Sequence, residues 1–270
     1  MSKLDQATKD DLWRVARLAA DAARPETLRY FRTAGLTADN KDADGFDPVT
    51  AADRAAEEAM RAVIARERPN DGIIGEEFGT TPGTSGLTWV FDPIDGTRGY
   101  ISGTPTWGVL ISVGDDCGPL MGMIDQPYIG ERFMGGFGVA MLEGPQGRRE
   151  LATRATSTLA DAIILTTFPE VGRPSDRRGF EAVASKAKLT RFGMDCYGYA
   201  LIASGQVDLV IEAGLNIYDI HAPVAVITAA GGIVTDWQGG PAHNGGRVLA
   251  AANAQVHAEA LAILKEVEDA

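Results

Sequence analysis

Residues 106–142 hold four apolar stretches, at 106–113, 120–125, 132–135 and 139–142, separated only by Gly, Pro and Asp signals. Such short gaps join strands by tight turns, so this part of the chain predicts an antiparallel meander. The second half has another rhythm. Strands are expected at 162–166, 189–192, 207–211, 233–235 and 248–251, and helices at 177–188, 196–204, 218–230 and 255–267. Strand–helix alternation of this kind argues for an α/β layer. Gly144-Pro145-Gln146-Gly147 and the polar residues after it suggest a boundary, dividing the chain into a domain over 1–150 and another over 151–270.

Ahead of the meander, Leu12, Trp13, Ala16, Leu18 and Ala19 recur at helical spacing over 10–24, and the pattern resumes after Pro25 over 28–31. Residues 35–48 read as a polar, mobile loop. A second helix is expected over 53–66, with Ala56, Met60, Val63 and Ile64 inward and Thr50 and Asp53 at its start. A turn at 69–72 then leads into a short strand, 73–77, that ends in Glu76 and Glu77.

The 270 residues include 37 acidic and 25 basic side chains, a formal net charge of −12. That balance argues against nonspecific binding to nucleic acid or an anionic membrane. It leaves room for an anionic substrate, because bound cations reverse the local field. Cys117 and Cys196 stand far apart, which fits reduced thiols in a cytoplasmic protein. No apolar run approaches the ~20 residues of a membrane span, and residues 1–32 do not have the form of a signal peptide.

The chemistry concentrates in Trp89-Val90-Phe91-Asp92-Pro93-Ile94-Asp95-Gly96-Thr97. Aromatic and β-branched residues build a strand end. Pro93 lacks an N–H, so the strand is expected to stop there, and Gly96 permits a tight turn. Two carboxylates then leave a strand end beside free backbone N–H groups, as a divalent cation and a phosphate would need together. Acids gather at three further places: Asp47 with Asp53, Glu76 with Glu77, and Asp219. Clustered carboxylates without bases call for a cation or a raised pKa, and oxygen ligands favour Mg²⁺ over zinc. His221, His243 and His257 have no zinc-type spacing. Dinucleotide, Walker and nucleophile-elbow motifs are absent.

These segments resemble the inositol monophosphatase superfamily of Mg²⁺-dependent phosphomonoesterases, in order and spacing. Asp47-Pro48-Val49-Thr50-Ala51-Ala52-Asp53 is similar to its first motif. Gly75-Glu76-Glu77 with Trp89 to Thr97 is similar to the second, and Tyr218-Asp219 with Ala222 and Ala230-Gly231-Gly232 to the third. Tyr218 departs from the Trp of many members. The histidinol-phosphate phosphatase branch fits best, at Asp95-Gly96-Thr97-Arg98, Ile124-Asp125-Gln126-Pro127, Asp195-Cys196-Tyr197-Gly198-Tyr199 and Val207 to Glu212.

The resemblance implies a mixed α+β and α/β fold, the layered αβαβα carbohydrate-phosphatase architecture shared by inositol monophosphatases and fructose-1,6-bisphosphatases. It implies two or three Mg²⁺ per site. Glu76, Asp92 and the Ile94 carbonyl would hold one ion and Asp92, Asp95 and Asp219 another, with the second ion stabilising the leaving alkoxide. Asp53, Thr97 and Glu76 would carry the catalysis, Asp53 and Thr97 by orienting and deprotonating water. The N–H groups of Gly96 and Thr97 would bind phosphate. The expected substrate is a small phosphomonoester, and the expected assembly a cytoplasmic homodimer with no nucleic-acid or membrane partner. Glu212 would flank the organic moiety. Asp195, aligned with a small apolar residue in many inositol phosphatases, would pair with the amine of histidinol; the alternative is an Asp195 that caps the helix after it.

Overall fold

The computed structural model describes residues 4–33, 39–40, 48–49 and 51–267, with 39–40 and 48–49 described as backbone only. Asp47 and Thr50 lie outside the described residues, as does most of the loop expected over 35–48.

The first helix, α1 (Gln6–Tyr30), runs unbroken through Pro25. The sequence predicted an interruption there. A mid-helix proline costs about 3 kcal/mol, but tertiary contacts hold the turn that leads into this one. Arg24 pairs with the buried Asp125 at 2.7 Å, and Asp21 with Arg132 at 2.8 Å. The short strands β1 (Asp39–Asn40) and β2 (Pro48–Val49) pair with each other, and α2 (Ala51–Glu67) follows.

An eight-stranded sheet comes next. It contains β3 (Gly72–Gly75), β4 (Gly79–Thr81), β5 (Thr88–Asp95), β6 (Gly108–Asp115), β7 (Gly118–Gln126), β8 (Glu131–Gly136), β9 (Val139–Gly144) and β10 (Gly147–Glu150), in the order β10-β9-β8-β7-β6-β5-β3-β4. From β5 to β10 every neighbour is antiparallel, and only β3 runs parallel to β5. The Gly144 to Gly147 segment is therefore a hairpin turn inside this sheet. Between β5 and β6 lies the single helical turn-and-a-half of α3 (Thr97–Ser102).

The second half alternates β11 (Ile163–Thr166), α4 (Pro174–Ala184), β12 (Leu189–Phe192), α5 (Asp195–Ala203), β13 (Leu209–Leu215), α6 (Ile217–Ala229), β14 (Ile233–Thr235), β15 (Gly246–Ala251) and α7 (Ala254–Leu264). Its five strands form one mixed sheet, in the order β12-β11-β13-β15-β14.

Strand alternation fixes how the sheets stack, because successive side chains point to opposite faces. On β6, Val109, Ile111 and Val113 pack with Leu12, Ala16, Ala56 and Met60 of α1 and α2. Leu110 points the other way, into a core shared with Ile220, Ala222 and Val226 of α6 and Tyr199 and Ile202 of α5. That core also takes Val210, Val248 and Ala250 from the second sheet. Leu209, Ile211, Leu249 and Ala251 face outward to Phe180 of α4 and Val256 and Ala260 of α7. The result is five layers: α1 and α2, the first sheet, α5 and α6, the second sheet, α4 and α7.

Two glycines set the spacing at the centre of this stack. A Cβ on Gly135 would stand 2.4 Å from Val226 Cα, and one on Gly122 2.5 Å from the Ala222 carbonyl oxygen. The α6 backbone thus lies directly on the sheet.

Candidate active site

Strand β5 continues two residues past Pro93, beyond the expected stop. Its pairing with β3 ends at Phe91, and its register with β6 shifts between Asp92 and Asp95. Pro93 falls in that irregular stretch, where its missing N–H takes nothing from the ladder. The shift also serves the acids. In a regular strand, residues three apart face opposite sides, yet Asp92 and Asp95 here join one cluster.

Asp219, from the first turn of α6, completes it. Carboxylate oxygens of Asp92, Asp95 and Asp219 lie within 4.8 Å of one another. Each acid is braced by backbone. Ile94 N–H donates to Asp92 at 3.1 Å, Cys196 N–H to Asp95 at 2.6 Å, and Asn216 N–H to Asp219 at 2.6 Å. Asp92 is only 2% exposed. Burial drives its carboxyl well above the usual range, reinforced by repulsion from Glu76, Asp95, Asp219 and Asp53. Burial does the same to Asp95, with Asp219 and Asp195 adding to it. Groups so crowded and desolvated are accommodated by a cation or by protons. Glu76 and Asp53 thus border Asp92 electrostatically but stand outside the three-carboxylate cluster. The Thr97 hydroxyl donates to the Ile94 carbonyl at 3.2 Å, and Gly96 holds φ +90° ahead of α3.

Asp95, Gly96, Thr97 and Asp219 line a cavity of about 270 Å³ together with Asp195, Tyr199 and Glu212. Asp195 and Glu212 therefore share one space with part of the cluster, although more than a hundred residues separate Asp95 from Glu212. Glu212 accepts the Thr167 N–H at 2.6 Å, and burial pushes its carboxyl up to about 7. Asp195 accepts the Thr106 hydroxyl at 3.2 Å; burial raises it to about 6, against the pull of that bond and of Arg98. Asp195 does not cap its helix. It is the first residue of α5, at φ +44°, and Met194 holds the cap position. The Tyr199 hydroxyl is buried with no hydrogen-bond partner among the described residues.

Some supporting residues escaped the sequence reading. Glu57 is fully buried and accepts the N–H groups of Glu77 and Phe78 at 2.7 and 3.2 Å, while Arg61 pairs with it at 2.7 Å. It fixes the turn that carries Glu76. The signal was present: Asp53 and Glu57 fall on the same helical stripe as Ala56, Met60 and Ile64, where acids are out of place. Phe168, also lining the cavity, carried no such signal.

The pattern of the inositol monophosphatase family matches residues 9–269 of this chain. The chain belongs to the inositol monophosphatase family. It is 38% identical to the bifunctional phosphatase IMPL2, chloroplastic, of Arabidopsis thaliana, over 98% of this chain and 78% of that protein. It is 35% identical to the histidinol-phosphatase of Streptomyces coelicolor, over 95% of this chain and 97% of the relative. An inositol monophosphatase structure from Zymomonas mobilis superposes with a TM-score of 0.84 at 37% identity, covering 97% of this chain and all of that one. This family member is thus a phosphatase with the layered α+β fold, acting on small phosphomonoesters. No helix among its described residues is long and apolar enough to cross a membrane.

Proposed function

We propose that this protein is a Mg²⁺-dependent histidinol-phosphate phosphatase. The observation that carries the substrate reading is the pair of desolvated carboxylates, Asp195 and Glu212, in the cavity reached by Asp95 and Asp219. An amino alcohol phosphate brings a cation to meet one buried and one half-buried acid, whereas an inositol ring brings none. Kinship with histidinol-phosphatases supports the same choice.

The donor set fits a hard divalent cation, because it consists of carboxylate oxygens whose mutual repulsion a cation relieves. Asp92, Asp95, Asp219, Glu76 and the Ile94 carbonyl would hold two or three Mg²⁺. When bound, the metal supplies charge neutralisation and an acidified water. The rest is the work of the chain. Gly96 and Thr97 would seat the phosphate, and Thr97 would orient the attacking water. Asp53, 1% exposed and bordering Asp92, would take its proton. The water oxygen bonds to phosphorus, the ester P–O bond breaks, and the departing alcohol oxygen takes a proton from solvent water while Asp53 returns its own to solvent. Asp195 and Glu212 would hold the ammonium, so that only the correct ester is aligned.

Residues 1–150 would supply most of the metal ligands, and 151–270 would supply Asp219 and the selecting residues. A cytoplasmic homodimer belongs to this reading on kinship alone; a monomeric mass by light scattering would remove the dimer. The decisive experiment compares phosphate release from histidinol phosphate, inositol 1-phosphate and adenosine 3′,5′-bisphosphate with Mg²⁺ present. A clear preference for the first is expected. Equal rates on all three would leave a broad-specificity phosphatase, and a preference for the second an inositol-phosphate phosphatase. Asp92→Asn is expected to lower turnover by roughly a thousandfold, the several kcal/mol that a charge-stabilising ion supplies. Full activity in that variant would exclude the mechanism.

A further inference from the structure

Phe168 is a large apolar side chain left 40% exposed, and it lines the cavity of the proposed active site. A single exposed apolar ring is ordinary on a protein surface, but this one faces a cavity rimmed by carboxylates.

The ring is held from both halves of the chain. On its own side, the preceding residue is fixed twice. Thr167 N–H donates to Glu212 at 2.6 Å, and the Thr167 carbonyl accepts Gly193 N–H at 3.0 Å. Glu212, the carboxylate assigned to the substrate, therefore also sets where Phe168 stands. From the other side, the Arg98 guanidinium of α3 lies over the ring, 4.6 Å from its centroid. Arg98 follows Thr97 directly and lines the same cavity. Both Arg98 and Phe168 are exposed, which puts them at the solvent edge of that cavity, with Asp195 and Tyr199 deeper.

We propose that Phe168 is a specificity-determining platform on which a flat ring of the substrate's organic moiety stacks. This rests on the reading that the cavity takes a phosphomonoester. It adds a demand to the two carboxylates: a ligand satisfying the whole cavity carries a phosphate, an ammonium and an aromatic ring. A pinned aromatic ring is suited to this task because little freedom is lost when a second ring covers it. A cationic heterocycle would gain further from the ring's negative face.

The test is steady-state kinetics of the wild type, Phe168→Ala, Phe168→Leu and Phe168→Tyr. The substrates are histidinol phosphate and phosphoethanolamine, which keeps phosphate and ammonium without the ring. Phe168→Ala and Phe168→Leu are expected to raise KM for histidinol phosphate roughly 5- to 10-fold, the worth of one aromatic pair, with kcat little changed. Phe168→Tyr should stay near wild type, and KM for phosphoethanolamine should not move in any variant. Wild-type behaviour of Phe168→Leu, or an equal rise in KM on both substrates, would overturn the platform. Direct titration with histidinol, the product, should show the same order of weakening. If the wild type shows no preference for histidinol phosphate, the function reading fails by itself. The platform is then judged on phenylpropyl phosphate against propyl phosphate: an unchanged KM ratio in Phe168→Ala overturns it, and loss of the wild-type preference for the aryl ester sustains it.

Discussion

Asp195 occupies a backbone conformation, φ +44°, that costs an L-residue roughly 1 kcal/mol and that Asp and Asn tolerate better than most. A cap would justify the aspartate, but the side chain turns to Thr106 and the cavity. Strain at such a place is commonly kept for function. Asn is therefore the informative replacement, since it keeps the conformation and the Thr106 bond and removes the charge. Asp195→Asn is expected to lower kcat/KM on histidinol phosphate by at least about 30-fold, the cost of unpairing a buried cation. It should leave turnover of uncharged sugar phosphates unaltered and raise the unfolding temperature of the ligand-free protein. Equal losses on both substrates would refute the pairing. The sequence pointed to this residue through motif position. The left-handed backbone beneath it was invisible, because an ordinary Asp-Cys-Tyr run carries no sign of φ.

At the scale of elements, two supports position the acids. The first is the contact of α6 with the first sheet, which Gly122 and Gly135 allow. Gly135→Ala places a methyl group 2.4 Å from the Val226 backbone. It is expected to destabilise the protein by about 1–3 kcal/mol, as overpacked cores do, and to weaken metal binding because α6 carries Asp219. Urea unfolding and calorimetric Mg²⁺ titration check the two effects separately. The second support is Glu57 under the Glu76 turn. Glu57→Gln leaves Arg61 short of its charge partner and is expected to cost about 3 kcal/mol of stability, within the range for a broken buried pair. Unchanged urea midpoints in that variant would show that the turn stands without it. Most element types were legible from periodicity, but the polar edge strands β4 and β10 were not, and the two prolines misled. Pro25 lies inside a helix held by Arg24–Asp125 and Arg132–Asp21, and Pro93 lies inside a strand where its neighbours have already parted. Both outcomes depend on partners distant in the chain, which local propensity does not contain.

Across the whole molecule, the five layers follow from patterns that the sequence displays: a punctuated meander, then strand–helix alternation. What no pattern displays is the stacking of α5 and α6 between two sheets, since helices apolar on nearly all sides announce burial without naming their neighbours. Stability belongs to this scale too. His257, on α7, meets the Thr235 hydroxyl of β14 at 2.9 Å, and burial first, then Lys265, lowers its pKa from the ordinary 6.5. Its neutral form is the one the fold accepts. The unfolded chain takes up this proton as pH falls below 6.5 while the folded chain resists it, so stability is fully present above that value and declines below it. His257→Gln, which retains a hydrogen bond to Thr235, should lose less stability than the wild type between neutral pH and about pH 5. Parallel stability curves for the two proteins would dismiss the effect.

The first two residues of α5 face different tasks. Asp195 meets the cavity with its side chain, whereas Cys196 supports Asp95 with its main-chain N–H. A main-chain donor is indifferent to which side chain precedes it. Among residues that accept its left-handed backbone, position 195 can therefore vary in a way that Asp92, Asp95 and Asp219 cannot. If Asp195 selects the substrate as proposed, one substitution there would retune which alcohol the protein accepts without loosening the backbone donor that braces Asp95. On that reading, a scaffold wired like this would diversify its diet by point mutation and keep its reaction.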